Sequence, residues 1–230
     1  MPAEYFKFGR DVTIIPDSLS MYPSELKVWH GTEYSPLRWR ITADGLEIEG
    51  EGIQRTAGEP VTMRRIYEEY GNIIRLVESS KGVPAELIMT TIATESGGNK
   101  GAIRQEPGYI SDTETPHRVS VGLMQTLIST AQSMQALCGY FGVPPMDRTA
   151  LIEPYWSILS GALYIKFQSK QTHFDPPLVA AAYNAGGIYR QQGKKNRWGL
   201  RQYPIGTGKH CDRFVQWWGD ALAVTKEATV

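Results

Sequence analysis

The chain has 230 residues, with 24 basic and 24 acidic side chains and a formal net charge of zero. That balance excludes the strongly basic surface of a nucleic-acid-binding protein and the charge runs of a membrane-attracted one. The length suits one medium domain, or one domain with a small appendage, with a core that needs no staples. Six Trp and twelve Tyr are many for this size. Flat aromatic faces suit a sugar groove, but an aromatic core is the default reading. Cys138 and Cys211 fit no metal or redox spacing, and Cys138 lies in an apolar helical pattern that predicts a buried free thiol. The segment from Met1 to Lys7 has no basic-then-apolar signal pattern, and no stretch reaches the roughly 18 apolar residues of a membrane span. The expectation is a soluble product made in the cytoplasm, which something else must deliver if it works outside.

Residues 1–58 differ in texture from the rest. Pro16, Pro23 and Pro36 punctuate a stretch of little period, and the runs 37–42 and 46–49 alternate around Ala43-Asp44-Gly45. That pattern predicts a hairpin with Asp-Gly as its turn. The region is therefore a small β or irregular N-terminal piece of unassigned role, with nothing in it to specify a ligand. From residue 59 to 230 the pattern is helical. Met63, Ile66, Tyr67, Tyr70, Ile73, Ile74 and Val77 keep a three-four spacing, and Lys81-Gly82-Val83-Pro84 breaks that helix.

The next segment, Ala85 to Gly97, is a mostly apolar helix that ends in a carboxylate. Gly97-Gly98-Asn99 supplies the left-handed residues that close many helices. Leu87, Thr91 and Glu95 fall four apart, so Glu95 leaves the helix on its buried side. A carboxyl against apolar walls has its charged form disfavoured, which suits a proton donor near neutrality. A long polar loop, 99–117, should follow, then a short strand through Val119-Ser120-Val121 into Gly122-Leu123-Met124-Gln125. Leu127, Ile128, Ala131, Met134, Cys138 and Phe141 mark a helix stopped at Gly142-Val143-Pro144-Pro145. The span 155–168 is apolar nearly all round, as in a central helix. Leu178 to Asn184 forms an alanine-rich helix ended by Gly186-Gly187, and a last helix starts near Asp212. The fold class is mainly α, one lysozyme-sized domain with minor β.

Three of these segments combine. Glu95-Ser96 closes an apolar helix, Gly122-Leu123-Met124-Gln125 follows a short strand, and Ala181-Ala182-Tyr183-Asn184-Ala185-Gly186 ends a later helix. In that order and context they resemble the soluble lytic transglycosylase family, relatives of goose-type lysozyme. The resemblance covers roughly Met63 to Trp218 and implies a lysozyme-like fold. It implies cleavage of the β-1,4 bond between N-acetylmuramic acid and N-acetylglucosamine in peptidoglycan, with 1,6-anhydro ends formed through one glutamate. That glutamate maps onto Glu95. The same resemblance makes Ser96 an orienting hydroxyl, puts Met124 and Gln125 beside the scissile bond, and brings the Tyr183 hydroxyl to the catalytic carboxyl. Asn184 bonds substrate or caps its helix, and Ser120 is a further groove hydroxyl.

The run 99–117 is longer than the family's usual connection and carries Glu106, Asp112 and Glu114. An inverting hydrolase needs a second carboxylate roughly 6.5–9.5 Å from the acid, so a muramidase of the goose type stays open. A catalytically silent wall-binding or virion structural protein is the other alternative. Between residues 190 and 209 six basic residues stand without an acidic one, as a solvated loop or a rim for stem-peptide carboxylates. Trp198 and Tyr203 in that loop either stack on sugars or pin it. His30, His117, His173 and His210 show no ligand spacing, so no metal and no cofactor are implied. The implied partner is the peptidoglycan glycan strand, with no nucleic acid and no stable membrane insertion. The protein is expected to be a monomer, of the kind a bacteriophage endolysin, a virion-associated lysin or an injected effector would be.

Overall fold

A computed structural model of the chain describes residues 19–139 and 143–228. Pro16, Phe141, Gly142 and the segment from Met1 to Lys7 lie outside the described residues. The centre of the fold is the helix α2 (Ala85–Ser96), whose residues 85–93 are all buried. Helix α1 (Val61–Lys81) lies against it through Met63, Ile66, Tyr70, Ile74 and Val77, the stripe expected from their spacing. Gly82 ends α1 in the left-handed conformation, and its N–H bonds the Glu78 carbonyl at 2.8 Å.

The N-terminal hairpin is present and carries a third strand. Strands β1 (Trp39–Thr42), β2 (Gly45–Ile48) and β3 (Gly52–Gln54) form an antiparallel sheet in that order. Thr42 pairs with Gly45, so the turn is Ala43-Asp44, one residue earlier than Asp-Gly. The Thr42 hydroxyl explains the shift, since it accepts from the Asp44 N–H at 3.2 Å and donates to the Gly45 carbonyl at 2.9 Å. Trp39, Ile41, Leu46 and Ile48 point to one face and join the same apolar cluster as Phe214 and Trp218 of the last helix. A buried polar anchor adds to this. Trp39 Nε1 donates to both Asp175 carboxylate oxygens at 3.0 Å, and His30 Nε2 lies 3.1 Å from one of them.

The region expected as a single polar loop contains β4 (Ile103–Gln105), which pairs with β5 (Val119–Val121), and β5 pairs with β6 (Thr126–Leu127). All three residues of β4 are exposed, so it lacks the alternation that marks a strand in sequence. Helix α3 (Ile128–Leu137) stops before Cys138. Cys138 is therefore exposed, against the expectation of a buried thiol; Cys211 is the buried one, and both are free. A short helix α4 (Arg148–Ile152) follows, capped by the Asp147 carboxylate accepting from Ala150 N–H at 2.9 Å. Helices α5 (Pro154–Thr172), α6 (Pro176–Ala185) and α7 (Lys209–Glu227) complete the described chain, and α5, α6 and α7 all touch α2. The architecture is mainly helical, as expected. Among the described residues no helix is long and apolar enough to cross a membrane.

Candidate active site

Glu95 stands in the last turn of α2, which Gly97 and Gly98 close in the left-handed conformation. Three bonds hold this helix end. The Ser96 hydroxyl donates to the Leu123 carbonyl at 2.6 Å, and it accepts from the Gly98 N–H at 3.2 Å. Arg65 of α1 donates to the Gly97 carbonyl. Ser96 thus ties the helix end to the turn that runs from Gly122 to Gln125.

That turn is built for close approach. The Gly122 N–H bonds the Ala102 carbonyl at 2.8 Å, and its φ is 78°. A Cβ here would collide with the Leu151 carbonyl and stand 2.6 Å from Ser157 Oγ, so only glycine fits. Gln125 has a φ of 46° and is held by its own amide, which donates to the Ala102 and Gly122 carbonyls at 2.9 Å. Its side-chain oxygen accepts from Ser120 Oγ at 3.1 Å.

Glu95 opens into a cleft of about 600 Å³. Its walls are Arg104, Glu106 and Pro107 from β4 and its end, His117, Arg118 and Ser120 from the β5 side, Gln125 and Leu127, Tyr183 and Asn184 of α6, and Tyr203. A second depression continues past Gln125, Leu127, Tyr183, Asn184 and Tyr203 to Thr130 and Tyr164, which gives an elongated groove. Of the residues named from the sequence, Glu95, Ser120, Gln125, Tyr183 and Asn184 meet at this groove. Ser96 and Met124 are not among its walls. Met124 is fully buried and packs its thioether against Gly161 of α5, under the groove floor.

The Tyr183 hydroxyl donates to the Met124 carbonyl at 2.8 Å and lies 3.1 Å from Thr126 Oγ1. Its single hydrogen is therefore committed to the turn and not to Glu95, which differs from the expected phenol–carboxyl contact. The phenol pKa is pushed up by burial, and the nearby Glu95 charge adds to this. Asn184 Oδ1 accepts from the Tyr203 N–H and so fixes one edge of the groove.

Burial pushes the Glu95 carboxyl up to about 7, against the lowering influence of Arg213 and then Arg104. Its side chain is 21% exposed, so it is desolvated by walls yet reachable from the cleft. His210 of α7 lies beside it, with Nε2 3.9 Å from Glu95 Oε1. Sequence spacing gave no reason to place His210 there. Of the three acidic residues in the 99–117 run, Glu106 alone lines the cleft, and Arg104 Nε holds it at 3.0 Å. Asp112 is bound by Arg148 at 2.6 and 2.8 Å and by the Tyr109 hydroxyl at 2.7 Å, while Glu114 is exposed. Trp198 is buried against Trp39 and donates to Asp212 at 2.8 Å, so it pins its loop, whereas Tyr203 reaches the cleft. Among the described residues no group of three or more His, Cys, Asp or Glu could hold a metal ion.

A family model described as the transglycosylase SLT domain matches residues 72–203. A comparison with curated proteins gives no significant match. Among solved structures, the chain is similar to an inactive mutant of the lytic transglycosylase Slt from Pseudomonas aeruginosa, at 19% identity and a TM-score of 0.52, over 72% of this chain and 25% of that one. It is also similar to the 70 kDa soluble lytic transglycosylase of Escherichia coli, at 24% identity and a TM-score of 0.41, over 51% of this chain and 17% of that one. The chain thus spans a quarter or less of the length of these two proteins. The Pseudomonas match supports the lysozyme-like helical fold.

Proposed function

The chain belongs to the transglycosylase SLT domain family, and on that basis we propose that it is a peptidoglycan lytic transglycosylase with Glu95 as its one acid and base. The observation that carries the reading is a carboxyl held near a pKa of about 7 at the wall of an elongated groove. In the proposed reaction Glu95 gives its proton to the bridging oxygen between N-acetylmuramic acid and N-acetylglucosamine. The bond from that oxygen to the muramic C1 breaks, and the glucosamine side leaves as an alcohol. The Glu95 carboxylate then takes the proton of the muramic C6 hydroxyl, whose oxygen closes on C1. The products are a 1,6-anhydro end and a reprotonated Glu95, with no water consumed. Ser120, Asn184 and Tyr203 offer hydroxyl, amide and ring surfaces to the sugars, while Gln125, whose amide hydrogens both bond backbone carbonyls, holds the turn beneath them. Tyr183 acts through the turn, by holding the Met124 carbonyl.

One observation favours a second reading, a hydrolytic muramidase: Glu106 lines the same cleft. Its carboxylate is paired with Arg104 Nε at 3.0 Å. Release of soluble wall fragments is what a lysis protein needs, so bacteriolysis, as an endolysin, a virion-associated lysin or an effector, is the proposed role. The test is digestion of purified sacculi by the protein and by Glu95→Gln. Release of soluble muropeptides should fall by about 10²–10⁴-fold in the variant. Equal release would remove Glu95 from the mechanism, and no release by either with retained binding would favour a silent wall-binding protein.

A further inference from the structure

The groove runs between two apolar clusters. Tyr183 packs against the larger one, around α2, while β5, α3 and α4 close a smaller one through Val119, Val121, Ile128, Ala131 and Leu151. The wall on the smaller side is the segment 106–118, which supplies Glu106, Pro107, His117 and Arg118 to the cleft. Its base is closed on itself. The Glu106 N–H bonds the Arg118 carbonyl at 2.8 Å, the Arg118 N–H bonds the Thr115 carbonyl at 2.9 Å, and the Arg118 side chain donates to the Pro107 carbonyl. Of the described residues in this segment, Tyr109 alone packs against the smaller cluster. Apolar burial therefore does little to hold the wall in place.

A polar clasp fastens the segment to α4 instead. Arg148, the first residue of that helix, donates from Nε to Asp112 Oδ2 at 2.8 Å and from Nη2 to Asp112 Oδ1 at 2.6 Å. The Tyr109 hydroxyl closes the ring, donating to Asp112 Oδ1 at 2.7 Å and accepting from Arg148 Nη2 at 3.0 Å. All three side chains are absent from the cleft walls. An ordinary surface ion pair contributes little, but a two-point arginine–carboxylate contact with a third partner is the exception. Here the arginine and aspartate side chains are 33% and 30% exposed, so water reaches them only in part. The Arg148 hydrogen bonds also hold the Asp112 carboxyl below its ordinary range, which keeps it an anion at neutral pH.

We propose that Arg148 is a positioning residue, which through Asp112 and Tyr109 holds the 106–118 wall in place for the glycan strand without touching it. This rests on the reading of the cleft as a glycan groove. With the clasp broken, the base of the segment stays fixed by the pairing of β4 with β5, while the part from Tyr109 to Asp112 loses its hold. The apparent affinity for the strand then falls with the fraction of molecules whose wall is in place. The acid is fastened separately. Its helix end is tied by Ser96 to the Leu123 carbonyl and by Arg65 to the Gly97 carbonyl, and neither bond involves this segment. Arg148 thus serves binding, and Glu95 serves the chemical step.

The test reads binding apart from turnover. In the Glu95→Gln protein, Arg148→Gln should raise the Kd for purified soluble glycan strands about tenfold, the value for a wall in place in about one molecule in ten. Amide hydrogen exchange over 106–118 should quicken in the same variant and stay unchanged in α2 and α6, which also reports that the rest of the fold is intact. With Glu95 present, Arg148→Gln should raise KM on the same strands by a similar factor and leave kcat within about twofold. Asp112→Asn breaks the clasp from the other side, so the double variant should bind no more weakly than either single one. An unchanged Kd despite quickened exchange, additive losses in the double variant, or a fall in kcat as large as the rise in KM overturns the proposal. The expected Kd difference in a protein that releases no muropeptides would sink the transglycosylase reading and leave this one standing.

Discussion

Helix α2 carries two glutamates with displaced proton affinities, and only one of them faces a place where a proton could go. Glu86, near its N-terminus, is fully buried, accepts from the Thr225 hydroxyl at 3.0 Å, and is pushed up by burial to about 7. Glu95, at the other end, is pushed to the same value by the same cause. Burial alone therefore does not separate a structural carboxyl from a catalytic one. Access does: Glu86 is absent from the walls of the groove, whereas Glu95 is part of them. The left-handed close at Gly97 and Gly98 is what ends the helix at that wall.

Exchange of each carboxyl for an amide gives the largest contrast. Glu95→Gln should lose about 10²–10⁴-fold in muropeptide release, while Glu86→Gln should keep its rate, both measured on purified sacculi with thermal unfolding as the folding control. Next comes the floor beneath Glu95. Gly122→Ala forces a Cβ against the Leu151 carbonyl at a φ of 78°, so stability should fall by about 3 kcal/mol in denaturant unfolding.

The pH dependence of stability probes what the two glutamates share. Each has a folded pKa raised from its ordinary 4.5 to about 7, so the folded chain holds these protons more tightly than the unfolded one. Their joint penalty is absent below pH 4.5, grows as pH rises towards 7, and is constant above that. Glu86→Gln should remove its own part of that decline, roughly 3 kcal/mol at pH 8, and leave the unfolding curve flatter between pH 4.5 and 7. An unaltered slope would mean that Glu86 is not ionising there. The smallest effect belongs to Tyr183→Phe, which removes the donor to the Met124 carbonyl. It should cost about 1 kcal/mol of stability and lower the rate while leaving the Glu95 titration in place. A displaced titration would mean that the phenol touches the acid after all.

Much of this was legible where the chain is periodic. The spacing of Met63, Ile66, Tyr70, Ile74 and Val77 gave α1, and the apolar run into Glu95 gave α2, because burial of one helix face leaves that signature. What stayed hidden depends on partners far along the chain. Strand β4 is exposed on all three residues and exists through its pairing with β5, so no alternation marks it. Met124 is next to a groove residue in sequence, but the turn sends its side chain under the floor to Gly161. Cys138 lost its buried place because α3 stops one residue before it. His210 is distant in sequence from Glu95 and meets it only because α7 packs on α2. Asp44-Gly45 marks the hairpin in the sequence, and the Thr42 hydroxyl moves the turn by one residue.

The central claim is that a single carboxyl, Glu95, both gives and takes back the proton, without water. Digestion of purified sacculi in water labelled with heavy oxygen, followed by mass spectrometry of the muropeptides, tests it most directly. The account predicts 1,6-anhydro-muramic ends that carry no label. Labelled reducing ends would contradict it and transfer the reaction to a hydrolase in which Glu106 or another base activates water.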